Sequence, residues 1–382
     1  MRFHKPINTG LPALLLFLAA AATSFAQDKN APTTDPDVLI FSNGEKLIGE
    51  LERSTGSSVL FKSDSVGEIT IDWSKVKELH TSRDFAVIGK GVKLRHNSDL
   101  SSVPQGSVSV ANSQVQVNPK QQPGPSKTIP VADAAYVIDE QTFRKNLLST
   151  PGFLQNWTGA ITAGASLVQA TQSSRSFTGA VSLIRTVPDQ NWLDPRNRTS
   201  IEFSQSYGKV TQPNTPTVKT NITHGGVERD QYLNSRLFAF GAASWDHNFS
   251  QGLDLQQSYG GGLGWTILKT DVEELDFKAS MVYVKQQFTN PTNNQNLIGS
   301  KFGESYNRKF THGITLAQNL AVTPAWNNLD AYSAIGDLTL GLPLYKRFNL
   351  TLGVIDAYLN NPPAGFRKNS FQFIAGLTYS IR

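Results

Sequence analysis

From Trp157 to the end of the chain, apolar and polar positions alternate with a period of two. Ile201, Phe203 and Tyr207 interleave with Ser200, Glu202, Ser204 and Ser206. Leu275, Phe277, Ala279, Met281 and Tyr283 interleave with Asp276, Lys278 and Ser280, and the run from Phe371 to Ile381 repeats the scheme. Successive side chains of a strand point to opposite faces, so this period predicts strands with one large apolar face and one small or polar face. The segments run to about 10–15 residues, which suits tilted membrane strands with overhang. A soluble sandwich also alternates, but its strands bury their apolar face against a second sheet of similar make-up. Here the second face is Ser, Thr, Gly, Gln and scattered charges, the lining of a wet lumen.

The pattern divides into about twelve strands, an even number as bacterial barrels require. They lie near 157–169, 176–187, 198–209, 218–229, 236–248, 256–268, 273–287, 300–307, 312–322, 329–341, 347–359 and 369–381. Connections after the fourth, sixth, eighth and tenth strands are short. Those after the third, fifth, seventh, ninth and eleventh are longer, the alternation expected of periplasmic turns and outer loops. The stretch 187–197 breaks this rule, being long where a turn should be short. Trp157, Trp192, Tyr207, Tyr232, Trp265, Trp326, Tyr345 and Tyr358 fall near segment ends, where amphipathic rings form girdles at the headgroup level.

Ahead of this region, 38–79 reads as short strands punctuated by Gly44, Gly49, Gly56 and Gly67, with Asn43-Gly44 as a hairpin signal. That pattern predicts a small SH3-like or Sm-like unit. The spacing of Ile71 to Leu79 recurs from Ile129 to Val137, which suggests a second copy, with 85–94 as one of its strands. Gln121-Gln-Pro-Gly-Pro125 reads as a loop, 139–149 as a helix, and Pro151-Gly152 as a boundary. Gly89-Lys-Gly91 lacks the further glycines and the Lys-Ser/Thr end of a phosphate loop. Trp73, after Asp72, is expected in a small core.

The first residues are an address. Arg2 and Lys5 precede an apolar run from Leu11 to Ala22, and Ser24-Phe25-Ala26 offers a small-x-small cleavage site. The run is too short to span a bilayer as a helix. We therefore expect a signal peptide at 1–26, a periplasmic β module with linker at 27–150, and a barrel at 151–382. Loss of Arg2 and Lys5 lowers a formal net charge of only +5, and no basic cluster marks a nucleic-acid partner. The chain is 17% charged, against about 25% in soluble domains. It has no Cys, which excludes disulfides, thiolate metal sites and a lipidated N-terminal Cys.

The chain resembles the salt-induced outer-membrane (YdiY-like) proteins, an uncharacterised-domain family. The resemblance rests on Leu39-Ile-Phe-Ser-Asn-Gly-Glu-Lys-Leu-Ile-Gly49 and Ile69-Thr-Ile-Asp-Trp-Ser-Lys-Val76 in the module. In the barrel it rests on Trp157-Thr-Gly159, Gly261-Gly-Leu-Gly-Trp265, Gly303-Glu-Ser-Tyr306 and Asn361-Pro-Pro-Ala-Gly365. It implies an all-β fold, a transmembrane antiparallel barrel preceded by a periplasmic β module, and it supplies no catalytic residue. The last strand also resembles a barrel-assembly signal, Gly376-x-x-Tyr379-x-Ile381, but ends on Arg382 and carries Ile374 where a polar residue is common.

Candidate chemistry is sparse. His4, His80, His96, His224, His247 and His312 show no metal-ligand spacing, and no cofactor motif is present. His247-Asn-Phe-Ser250 superficially offers the base and nucleophile of a barrel phospholipase. Glu202, Asp246, Asp276, Lys278 and Asp337 fall on the polar phase of their strands and are the lumen candidates. The expected partners are outer-membrane lipid, the barrel-assembly machinery, and peptidoglycan or another envelope protein at the module. The expected role is passive: envelope integrity, osmotic response or a narrow pore. A phospholipase-like hydrolase and a secreted β-sandwich or adhesin are the alternatives. A photoactivated lipid-phase probe should mark Phe203, Phe277 and Leu350 in the inserted protein; absence of label at all three would overturn the barrel.

Overall fold

In a computed structural model, residues 35–63, 65–119, 125–169, 173–212, 216–270 and 272–381 are described. The expected leader, most of the Gln-Pro loop and Arg382 lie outside them. No described helix is long and apolar enough to cross a membrane.

The module holds nine strands: β1 (Asp37–Phe41), β2 (Lys46–Thr55), β3 (Ser58–Ser63), β4 (Gly67–Asp72), β5 (Val76–Gly89), β6 (Gln105–Ala111), β7 (Gln114–Asn118), β8 (Lys127–Pro130) and β9 (Ala134–Asp139). Helix α1 (Glu140–Leu148) follows, capped by the Asp139 carboxylate, which accepts from the Thr142 N–H. The spacing repeat is real. A three-residue 3₁₀ turn joins β4 to β5 at Trp73–Lys75, and another joins β8 to β9 at Val131–Asp133. The first half of β5 pairs with β1 and with β6. In the mirrored arrangement, β9 pairs with the second half of β5 and with β2. Each unit therefore closes on its own first strand and lends its last strand to the other unit's second. A register shift between His80 and Asp84 marks where β5 passes from one unit to the other.

The repeat extends to single atoms. A Cβ at Gly49 would sit 2.1 Å from the Lys62 carbonyl oxygen, and one at Gly106 would sit 2.2 Å from that of Asn118. Each unit thus needs a glycine where its second strand crosses its third. One core spans both units: Leu39, Leu51, Val59, Phe61, Leu79, Phe85 and Val115 are fully buried within it. Trp73 joins that core and donates its ring N–H to the Thr55 carbonyl at 3.0 Å. Asp72 accepts from the Ser74 N–H, and hydrogen bonding with Ser74 holds its carboxyl below the usual value.

Twelve strands close the second body into an antiparallel barrel: β10 (Trp157–Gln169), β11 (Ser173–Val187), β12 (Asn197–Thr211), β13 (Val218–Tyr232), β14 (Leu237–Asn248), β15 (Leu253–Lys269), β16 (Glu273–Phe288), β17 (Gln295–Lys309), β18 (Thr315–Thr323), β19 (Ser333–Tyr345), β20 (Phe348–Leu359) and β21 (Asn369–Ile381). The ring excludes the sandwich alternative. Its seam, between β10 and β21, registers only from Gly159 opposite Ile381 to Ala163 opposite Leu377, whereas β11 and β12 pair along their whole lengths.

Several details differ from the sequence reading. β17 begins at Gln295 rather than near 300, because Leu297 turns inward and Ile298 outward, so two adjacent apolar residues hide the alternation. β19 extends to Tyr345, since a register shift there accommodates Pro343. Residues 92–95, expected to continue a strand, are irregular. The connection after β14 is only 249–252.

The long connection 188–196 has a physical reason: it is the bracket between the two bodies. Trp192 stacks on Phe143 of α1 with centroids 5.2 Å apart, and Leu193 is buried with Leu94, Phe143 and Leu147. The Asp194 N–H donates to the Leu94 carbonyl at 2.9 Å. Trp192 is therefore not a girdle residue. On the same rim, Arg185 donates to the carbonyls of Pro151, Gly152 and Gln155 and clamps the linker. Leu193→Asp should release the module from the rim. Proteolytic cleavage between residues 149 and 156 should then accelerate while the barrel keeps its heat-modifiable gel mobility.

Candidate lumen and rim of the barrel

Direct cross-strand partners share a face, so register assigns every barrel side chain to the inside or the outside. Outside lies an apolar belt. Phe177, Phe203, Leu263, Phe277, Met281, Phe302, Phe373 and Leu377 are all exposed large hydrophobics, far more apolar surface than a soluble monomer shows. Below, the end that meets the module is called the near end and the opposite one the far end. Trp157, Trp265, Tyr345, Phe348 and Tyr379 ring the near end, and Tyr207, Trp245, Tyr259 and Trp326 the far end. Cations sit over near-end rings: Arg308 lies 5.1 Å from the Phe310 centroid and Lys346 lies 5.1 Å from that of Tyr345. Tyr232 does not belong to a girdle. It faces inward, its ring 5.2 Å from Phe238.

All five lumen candidates are on the inner face, and one of them, Asp276, enters a charged hub at the near end. Arg198 reaches across the ring from β12 to β16. Its Nε is 2.7 Å from Asp230 Oδ2, its Nη1 2.9 Å from Glu274 Oε1 and its Nη2 2.7 Å from Asp276 Oδ2. Thr266 donates to the other Asp276 oxygen at 2.6 Å. The guanidinium also lies 5.3 Å from the Phe238 ring centroid. A Cβ at Gly264 would lie 2.2 Å from the Phe238 ring, so the inward glycines of β15 make room for this aromatic filling. Next to the hub, Lys278 pairs with Glu228 and lies over Phe240.

Farther along, a polar chain crosses five strands. His224 Nδ1 lies 2.6 Å from Asp246 Oδ1. Gln256 donates to Asp246, Gln286 to Gln256, Gln295 to Gln286 and Asn328 to Gln295. The chain links the wall to the loop 324–332. Asn319 donates to Asp337 at 3.0 Å. Glu202 stays exposed on the same inner face. The facing wall is built of small residues such as Thr162, Gly164, Ala180, Ser182 and Ser204.

Described loops of the protein reach across the far mouth, which no sequence signal marks. Gln251 enters the mouth and is buried. Its amide donates to the carbonyls of Ala357 and Lys368, at 3.0 and 2.9 Å, on the opposite side of the ring. Asn248 donates to its carbonyl oxygen at 3.0 Å. Leu253, Phe288 and Leu359 pack together beneath, and Val282, Val284, Leu297, Ala325 and Ala331 fill the neighbouring quadrant.

His247 and Ser250 are not brought into a working pair. His247 Nδ1 lies 2.7 Å from the Asp254 carbonyl, the Ser250 N–H donates to Asn248, and no described hydrogen bond joins the two residues. Among the described residues no group of three or more His, Asp and Glu could hold a metal ion. Replacing Arg198 with Ala would leave Asp230, Glu274 and Asp276 facing one another without a counter-charge. Breaking such a buried set costs about 3–5 kcal/mol. The temperature at which the barrel loses its fast gel mobility should fall, whereas Lys301→Ala should leave it unchanged.

Among solved structures, the chain is similar to the translocator domain of the autotransporter NalP from Neisseria meningitidis, at 8% identity and TM-score 0.33, covering 59% of this chain and 87% of that one. It is similar to an outer-membrane channel from Pseudomonas putida F1, at 12% identity and TM-score 0.35, covering 61% and 100%. It is also similar to the NanC porin, at 10% identity and TM-score 0.32, covering 58% and 96%. No curated protein matches the sequence. The family described as proteins of unknown function, DUF481, matches residues 161–381, nearly the whole closed ring and more than half of the chain. The chain belongs to the DUF481 family.

Proposed function

We propose that this protein is an outer-membrane β-barrel, closed at rest, that holds its β module at the periplasmic face and serves the envelope without catalysing a reaction. The sealing of the far mouth carries this reading. Gln251 ties opposite sides of the ring together, and apolar clusters fill the space beneath. The apolar belt between two aromatic girdles supports a membrane setting, since lipid is the solvent that such a surface fits. The near end then faces the periplasm, with the module bracketed to it by 188–196. A leader at 1–26 would deliver the chain there, and the last strand would present it to the barrel-assembly machinery. The module's place beside the rim makes peptidoglycan or another envelope protein its natural partner. The family resemblance associates this role with osmotic stress.

A second reading, a narrow pore, is favoured by one observation: Glu202 and Lys301 lie exposed inside a wall of small residues. The two readings differ only in whether the far mouth opens. In planar bilayers the refolded full-length protein should be silent, and Gln251→Ala should produce conducting events by releasing the loops. Steady ohmic conductance from the unmodified protein would overturn the closed state and leave the pore.

A further inference from the structure

The outer face of β11–β13 carries an arrangement that neither the closed lumen nor the apolar belt explains. Arg175 is the direct cross-strand partner of Lys209, and Lys209 is the direct partner of Lys219. All three are exposed, and they share the outward phase with Phe177, Phe203 and Tyr207. Strands lie about 4.8 Å apart, so three cations stand side by side within roughly 10 Å at the far rim. Like charges directly opposite each other destabilise a sheet. No side-chain ion pair or hydrogen bond of the three is present among the described residues. The outward faces of β10–β13 hold no carboxylate at all, since Glu202, Glu228 and Asp230 point inward, and the joining residues 170–172 and 212–217 contain none in sequence. Three outward cations at the near end are satisfied within the chain. Arg185 binds three carbonyls, Arg229 binds Thr199 and Arg308 pairs with Glu273.

Directly beneath the row, one pleat lower, Phe177 pairs across to Tyr207 and Tyr207 to Asn221. The next level is polar where a lipid-facing belt should be apolar. Gln205 donates to Asn221 at 2.6 Å, and Thr223 donates to Gln205 at 2.6 Å. Phe203 lies below these groups. From the rim downward the face therefore offers cations, then rings, then amides and a hydroxyl, then apolar surface. That order complements a ligand with phosphates on a sugar headgroup, amide-linked and hydroxylated chains below it, and plain hydrocarbon last.

We propose that the β11–β13 face is a binding site for a phosphorylated, acylated glycolipid of the outer leaflet, with Arg175, Lys209 and Lys219 holding its phosphates. The inference rests on the outer-membrane reading above, because it needs the far end to lie in the outer leaflet. Each cation near an anionic surface contributes roughly a factor of five in binding, so three together give on the order of a hundredfold.

The test uses the refolded full-length protein in neutral detergent, with bisphosphorylated lipid A, its dephosphorylated form and phosphatidylglycerol as probes and retained lipid counted by native mass spectrometry. The unmodified protein should retain bisphosphorylated lipid A in preference to the other two. The triple variant Arg175→Gln, Lys209→Gln, Lys219→Gln should lose that preference, while Arg229→Gln with Lys346→Gln at the near end should keep it. Equal retention by the triple variant and the unmodified protein would overturn the site. Phosphatidylglycerol held as tightly as lipid A would also overturn it, by showing an unselective anionic surface. Heat-modifiable mobility, followed in the same samples, separates this from the parent reading. If no barrel forms, the membrane assignment fails; if the barrel forms in every variant but lipid A retention does not change, only the glycolipid site fails.

Discussion

Every backbone N–H and C=O in a lipid-embedded strand must find a partner within the protein, because hydrocarbon offers none. Twelve antiparallel strands meet that demand by closing on themselves. Closure then dictates the rest of the composition. Half of the side chains face out, and the large ones between the aromatic girdles are mostly Phe, Leu, Ile, Val and Met. The other half face a space too narrow to leave empty and too wet to fill with hydrocarbon alone. The small charge fraction of the chain follows, since most charges are confined to the lumen, the rims and the module.

Inside, the structure spends its polar residues on one side of the ring. β12–β17 carry the Arg198 hub, the Lys278–Glu228 pair and the glutamine chain, while the opposite wall is Thr, Ser, Ala and Gly. A buried ion set of this kind adds little net stability over an apolar filling, but it punishes misplacement of any member. Arg198 joins β12 to β13 and β16, so its three carboxylates fix where those strands stand relative to one another. The far-mouth loops do the same from above, with Gln251 bridging to β20 and the segment before β21.

All twelve spanning segments were legible because a two-residue period survives wherever one face meets lipid and the other meets water. Legibility failed where that contrast vanished. At Leu297–Ile298 both faces are apolar, since a loop packs against Leu297 on the inside. Trp192 and Tyr232 were misassigned to girdles because an aromatic at a strand end carries no sign of which neighbour will take it; one met Phe143 of the module and the other met Phe238. The inward direction of Glu202, Asp246, Asp276, Lys278 and Asp337 was readable from phase, but their partners were not. Arg198 finds Asp276 across 78 positions, and Gln251 finds Lys368 across 117. Nothing local records such meetings. The repeat in the module was visible as spacing, while the exchange of β5 and β9 between units is a property of three dimensions alone.

The seam between β10 and β21 gives the cylinder an unequal circumference of strength. Five registered positions join its two margins, with the hydroxyls of Thr162, Thr351 and Thr378 linked in a row at that level, and the upper portion of each margin lacks regular pairing. A tube with one short weld does not dilate evenly under lateral pressure from the bilayer. The line between β10 and β21 is where the fewest registered pairs hold the ring, five against at least eight at every other joint.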